Sequence, residues 1–177
     1  MRLLILLFLF PTACQVATLS LLESEYFTLP AGSTLTLHHE LPVPANDWSV
    51  YFQNGKATDF GPVDEYEPYC ELYLGGAKDK AWSLQPDVFT IIRVDRGVEE
   101  AGSLQIKLAS LTTGQFLHDF VPVHYITTLY LHSEQQPEVQ ELRCSHLAEP
   151  RVGSFLSLQQ IRSALGEHFS LWLVEKQ

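Results

Sequence analysis

The sequence predicts a mainly β protein, an antiparallel sandwich or partly closed barrel with one short C-terminal helix. Three observations carry this. Short runs alternate apolar and polar residues at period two. Gly, Pro, Asn and Asp separate these runs. One stretch near the C-terminus shows helix-capping and helix-periodic signals instead. With 177 residues and 46 % apolar content, the chain can build one packed core and is too apolar for wholesale disorder.

The elements follow in order. Tyr26–Leu29 reads as a short strand, Pro30-Ala31-Gly32 as a turn, and Ser33–His38 as an alternating strand. Pro42, Pro44 and Asn46-Asp47 mark a loop. Trp48–Gln53 is a strand, and Asn54-Gly55 then favours positive φ at both centres of a tight hairpin turn. Residues 59–69 read as a loop that feeds a strand over Cys70–Leu74. Gly75-Gly76 ends that strand, and a further loop runs to Pro86. Asp87–Asp95 is rich in β-branched residues, Gly97–Gly102 reads as a turn, and Ser103–Ala109 alternates again. Val121–His132 and Glu138–His146 form a second hairpin about Ser133–Pro137.

Ser157 followed by Gln160 has the form of a capping box. Leu158, Ile161 and Leu165 then share a helical face, and Gly166 suits the position just past a helix end. His168–Glu175 resumes strand alternation.

Residues 1–13 read as an export signal, extending to about residue 20 on the alternative cleavage. One cation, Arg2, precedes the apolar run Leu3–Phe10, which is too short to span a bilayer. Two readings of Cys14 stand. Cleavage after Ala13 would leave Cys14 as a lipidated N-terminus, with 14–24 a tether and 25–177 the β-rich domain. An ordinary signal cleavage after Ala17 or Ser20 would discard it. Pro11 fits the first reading poorly. With Gln15 after a lipidated Cys14, the expected address is the periplasmic face of the outer membrane. The alternative is a soluble periplasmic or secreted protein.

Cys70 and Cys144 then remain as an even pair in an oxidising compartment, and a disulfide between them is expected. Two buried free thiols are the alternative. The 11 basic and 21 acidic residues, a net charge of −10, argue against nucleic-acid binding, which needs clustered cations.

Several segments taken together carry a resemblance: Val50–Lys56, Tyr66-Glu67-Pro68-Tyr69-Cys70, Gln85–Phe89, Tyr130–Pro137 and Leu142-Arg143-Cys144. Over roughly residues 45–166 the chain resembles an uncharacterised family of small proteobacterial envelope proteins with a signal or lipoprotein leader. The resemblance implies compartment, disulfide and β architecture. It implies no functional residue.

Chemistry has few footholds. There is no nucleophile elbow, phosphate-binding loop or dinucleotide fingerprint, and no catalytic residue is assigned. If the second hairpin sets His132 opposite Glu138, the same ladder sets His124 opposite His146, close enough to share a metal with a third ligand such as His118 or Asp119. Solvated or hydrogen-bonded histidines are the competing reading, and no cofactor is expected. The candidate binding loop is Asp64, Glu65, Tyr66, Glu67 and Tyr69, where rings sit beside carboxylates. The competing reading packs Tyr66 and Tyr69 over the end of the sheet. The expected function is a non-enzymatic interaction or structural role in the envelope, with a membrane contact through the N-terminal lipid and an envelope protein as partner. The alternatives are a small metal-dependent or hydrolytic periplasmic enzyme and a soluble periplasmic ligand-binding domain. Oligomeric state is left open.

Overall fold

The computed structural model describes residues 29–101 and 121–174. Within them lie ten strands and one helix: β1 (Thr34–Leu37), β2 (Leu41–Val43), β3 (Ser49–Gln53), β4 (Lys56–Thr58), β5 (Tyr69–Leu74), β6 (Trp82–Leu84), β7 (Asp87–Glu100), β8 (Val123–His132), β9 (Val139–Ala148), α1 (Leu158–Leu165) and β10 (Phe169–Trp172). Eight strands form one antiparallel sheet in the order β10-β1-β7-β8-β9-β5-β3-β4, curled into a half-barrel. β2 and β6 form a separate two-stranded ribbon.

The curl follows from alternation. Leu35, Leu37, Phe52, Leu72, Phe89, Ile91, Leu129 and Leu142 all point to one side and are fully or almost fully buried. Burying one face of a strongly twisted sheet favours wrapping it around its own side chains. α1 then plugs the opening. It packs on β3, β4 and β5 at one end of the sheet and on β10 at the other. Its buried residues are Leu158, Ile161, Ala164 and Leu165. Each of the larger ones contributes roughly 1.5–3 kcal/mol by leaving water.

The helix start and stop are those expected. Ser157 accepts from the Gln160 amide at 3.2 Å, while Gln160 Oε1 accepts from the Ser157 amide at 2.8 Å. Gly166 ends the helix at φ +58° and lies against Gly55, where an added Cβ would overlap the Gly55 backbone. The Gly55 amide donates to Ala164 O at 3.0 Å. The β3–β4 hairpin is thereby tied to the helix. Asn54 and Gly55 take φ +52° and +74°, the geometry the Asn-Gly pair favours.

Cys70 and Cys144 are disulfide-bonded and stand directly opposite one another on β5 and β9, Cα atoms 4.0 Å apart. The β5–β9 ladder is the seam of the sheet. Among the described residues it is the one strand pairing that joins β3, β4 and β5 to the long β7–β8–β9 meander.

Three expectations change. The stretch holding Pro42 is strand β2, whose proline the two-stranded ribbon tolerates. The loop before Pro86 contains β6. Gly97 does not open a turn; β7 continues to Glu100 because β8 pairs with it that far. Trp82, on β6, is half-buried, with the Lys78 ammonium 3.2 Å above its ring. The leader with Cys14, the tether, most of the strand expected at Tyr26–Leu29 and the whole of Ser103–Ala109 lie outside the described residues.

Candidate functional site: an acidic aromatic face

The candidate loop crosses the outer face of the sheet beside the disulfide seam, and its backbone is held from two sides. Gln53, the last residue of β3, reaches across with its side-chain amide. It donates to Asp64 O at 2.8 Å and Glu67 O at 3.4 Å, and accepts from the Asp64 amide at 3.0 Å. Asp64 Oδ1 accepts from the Tyr66 amide at 3.1 Å, so this aspartate shapes its own turn. On the other side Glu65 O accepts from the Leu147 amide at 2.6 Å, and Glu65 Oε2 lies 3.2 Å from His124 Nε2.

This clamping separates the two tyrosines of the loop. Tyr69 enters β5 and is buried, while Tyr66 is 65 % exposed. The reading that both rings cover the sheet end therefore holds for Tyr69 alone. Around Tyr69, Tyr51 packs 5.2 Å from Phe60 and 6.4 Å from Tyr69, ring centre to ring centre. Tyr51 Oη donates to Glu71 Oε1 at 2.7 Å. Burial, reinforced by that carboxylate, pushes the Tyr51 phenol up to about 12. Burial, with Glu65 nearby, also raises Tyr69. Both phenols are held neutral and act as apolar and hydrogen-bonding surface, not as proton donors near neutral pH.

Beyond Phe60 lie two adjoining grooves. One, of about 480 Å³, runs between the β3–β4 edge and the β2–β6 ribbon, with Pro42, Pro44, Ala57 and Trp82 among its walls. The other, of about 490 Å³, is walled by Trp48, Tyr51 and Phe60, with Asp47 and Asp59 at its rim. Trp48 and Phe60 are 59 % and 48 % exposed. Sequence reasoning missed these grooves. Most of their walls fall in stretches read as loops, and nothing in the chain order says that Val43 and Trp82 pair across a ribbon.

The metal-sharing arrangement is not realised. The β8–β9 ladder is shifted by one residue from the expected register. His124 faces Leu147, and His146 faces Tyr125. A one-residue slip moves a side chain to the opposite face, so the two imidazoles stand on opposite sides of the sheet. His124 joins the outer face with Glu65 and Ser145. His146 stacks on Tyr125, ring centres 6.0 Å apart. Burial lowers the His146 pKa, the neighbouring His124 lowers it further, and Glu67 acts in the opposite direction. His118 and Asp119, the expected third ligands, lie outside the described residues. Among the described residues no three His, Cys, Asp or Glu side chains gather as a ligand set.

Asp64 and Glu65 are engaged in the loop as described, and Glu99 lies 3.5 Å from Arg143. Comparison of the chain with protein-family models, with curated proteins and with solved structures finds no match. The site's chemistry therefore rests on its own geometry. A rigid backbone here presents exposed rings beside carboxylates, an arrangement suited to recognition.

Proposed function

We propose that the protein is an exported, lipid-anchored envelope protein whose role is to bind another envelope component through the face formed by the 59–69 loop and the adjoining grooves. The observation that carries the binding role is the clamped loop. Gln53 and Leu147 fix its backbone while the Tyr66 ring stays 65 % exposed. A ring held on a preordered backbone loses little conformational freedom on association, so more of its contact energy appears as affinity. The address is inferred from the short apolar leader followed by Cys14, and the Cys70–Cys144 bond suits an oxidising compartment.

The test has two parts. Intact mass of the protein extracted from membranes should show a diacylglycerol-bearing N-terminus at Cys14. A photo-crosslinking residue placed at position 66 should then capture an envelope component that the same residue at position 172, on β10, does not. An unlipidated N-terminus beyond Cys14 sinks the anchor. Equal capture at both positions, or none at either, sinks the binding face.

A further inference from the structure

We propose that the groove between the β3–β4 edge and the β2–β6 ribbon takes an extended, lysine- or arginine-bearing segment of a partner protein, which pairs with the backbone of β4 and sets its cations against Asp47 and Asp59. This rests on the reading that the acidic aromatic face meets a partner, and it names that partner's chemistry.

The backbone argument comes first. Among the described residues β4 is the last strand of the sheet and pairs with β3 alone. The two-residue Asn54-Gly55 turn makes Gln53 and Lys56 the closing pair, which exchange both hydrogen bonds, as do Tyr51 and Thr58 two positions on. Ladder alternation then turns the amide and carbonyl of Ala57 away from β3, toward the groove that Ala57 lines. Past Thr58 the partner strand has left, and by the same parity Ser49 directs its peptide groups toward that side of β3. Ser49 also lines the groove. An edge of this kind accepts an added strand, with affinity from main-chain bonds and specificity from alternate side chains.

The walls specify the side chains. Opposite the edge stand Pro42, Pro44 and Trp82; Trp48, Tyr51 and Phe60 continue the surface into the second groove, which shares Pro44, Ser49 and Asp59 with the first. These are apolar and aromatic surfaces. Among the described residues, the charged side chains lining the two grooves are Asp47 and Asp59, both negative. Lys78, the cation beside Trp82, is engaged with that ring and with Glu138 at 3.4 Å. The acidic 59–69 loop extends the same sign of potential along the flank, in a chain of net charge −10. A cationic strand with alternate apolar residues satisfies both wall and rim, and a ring face also attracts a passing ammonium or guanidinium.

The test is selection of a random heptapeptide library on the full-length protein in detergent, repeated on A57P. Proline removes an amide that the ladder does not use and leaves β4 as an edge strand. Selected peptides should carry Lys or Arg at alternate positions and should be lost on A57P. A selected peptide, synthesised and titrated calorimetrically, should weaken as salt rises, and this salt dependence should shrink in D47N/D59N. Methylating alternate backbone nitrogens of the peptide should cost roughly tenfold or more in Kd, a readout that stands even if A57P folds poorly. Overturning results are no selected sequence, selected sequences without cations, or binding that ignores both peptide methylation and the charge substitutions. Crosslinking from position 66 without peptide binding would sink this groove assignment and leave the broader binding role. Peptide binding without crosslinking would keep the groove assignment and sink the part of the binding role given to the loop around position 66.

Discussion

Breaking the Cys70–Cys144 bond should open the sheet at its seam before anything else. Among the described residues the two halves of the half-barrel meet as strands only through β5 and β9, and that ladder already shifts register between Tyr73 and Leu74. The bond closes a loop with a sequence separation of 74. In the chain-entropy description this is worth about 4 kcal/mol at 25 °C. For a domain of this size about 4 kcal/mol corresponds to roughly 8–16 °C in Tm. The clean perturbation is the double substitution Cys70→Ala with Cys144→Ala, set against wild type with and without reductant, because serine would bury a new hydroxyl at two fully enclosed positions. Thermal and urea unfolding give the magnitude, and amide exchange gives the place. The 4.0 Å Cα separation marks Cys70 and Cys144 as a non-hydrogen-bonded pair, so the neighbours Glu71 and Arg143 carry the seam's amide bonds. Their protection should fall while that of the β7–β8 ladder holds. A double variant melting within about 2 °C of oxidised wild type, or uniform loss of protection across the sheet, would refute the seam argument.

Three further outcomes follow from the same structure. G166A should destabilise by about 3 kcal/mol in urea unfolding, from positive φ plus overlap with Gly55, whereas G61A, with open space around it, should be close to neutral. Because burial depresses the His146 pKa below its ordinary 6.5, the unfolded chain takes up a proton there first. Stability from this site is complete above about pH 6.5 and is lost as pH falls through the folded-state value, so H146Q should flatten the acid side of a urea-midpoint profile. Q53A should leave the core intact but raise hydrogen exchange at the Asp64 amide, which donates to the Gln53 side chain, and should weaken capture from position 66.

Much of this protein was legible one segment at a time. The Asn54-Gly55 turn, the Ser157–Gln160 capping box, the Gly166 stop and the pairing of Cys70 with Cys144 all rest on local stereochemistry or on parity, and the structure shows each of them. The binding loop was legible as a composition, rings beside acids. Its clamping was not, because Gln53 and Leu147 are remote in sequence and nothing in their immediate surroundings marks them. The β8–β9 register shows the limit most sharply. Counting out from the turn at Ser133–Pro137 missed by one residue, and that single step moved His124 and His146 to opposite faces.

Residue order alone thus determined that the chain is a strand-rich domain with one capped helix, because alternation, turn chemistry and capping depend on neighbours a few positions apart. It also marked the disulfide, because only one even pairing remained once Cys14 was assigned to the leader. Tertiary structure decided that the sheet curls into a half-barrel plugged by α1, that β5 and β9 form its seam, and that a proline- and tryptophan-walled groove lies beside an open strand edge. Those features depend on which strands meet across tens of residues. Many pairings bury a similar apolar area, and only the simultaneous packing of all the strands and the helix selects one.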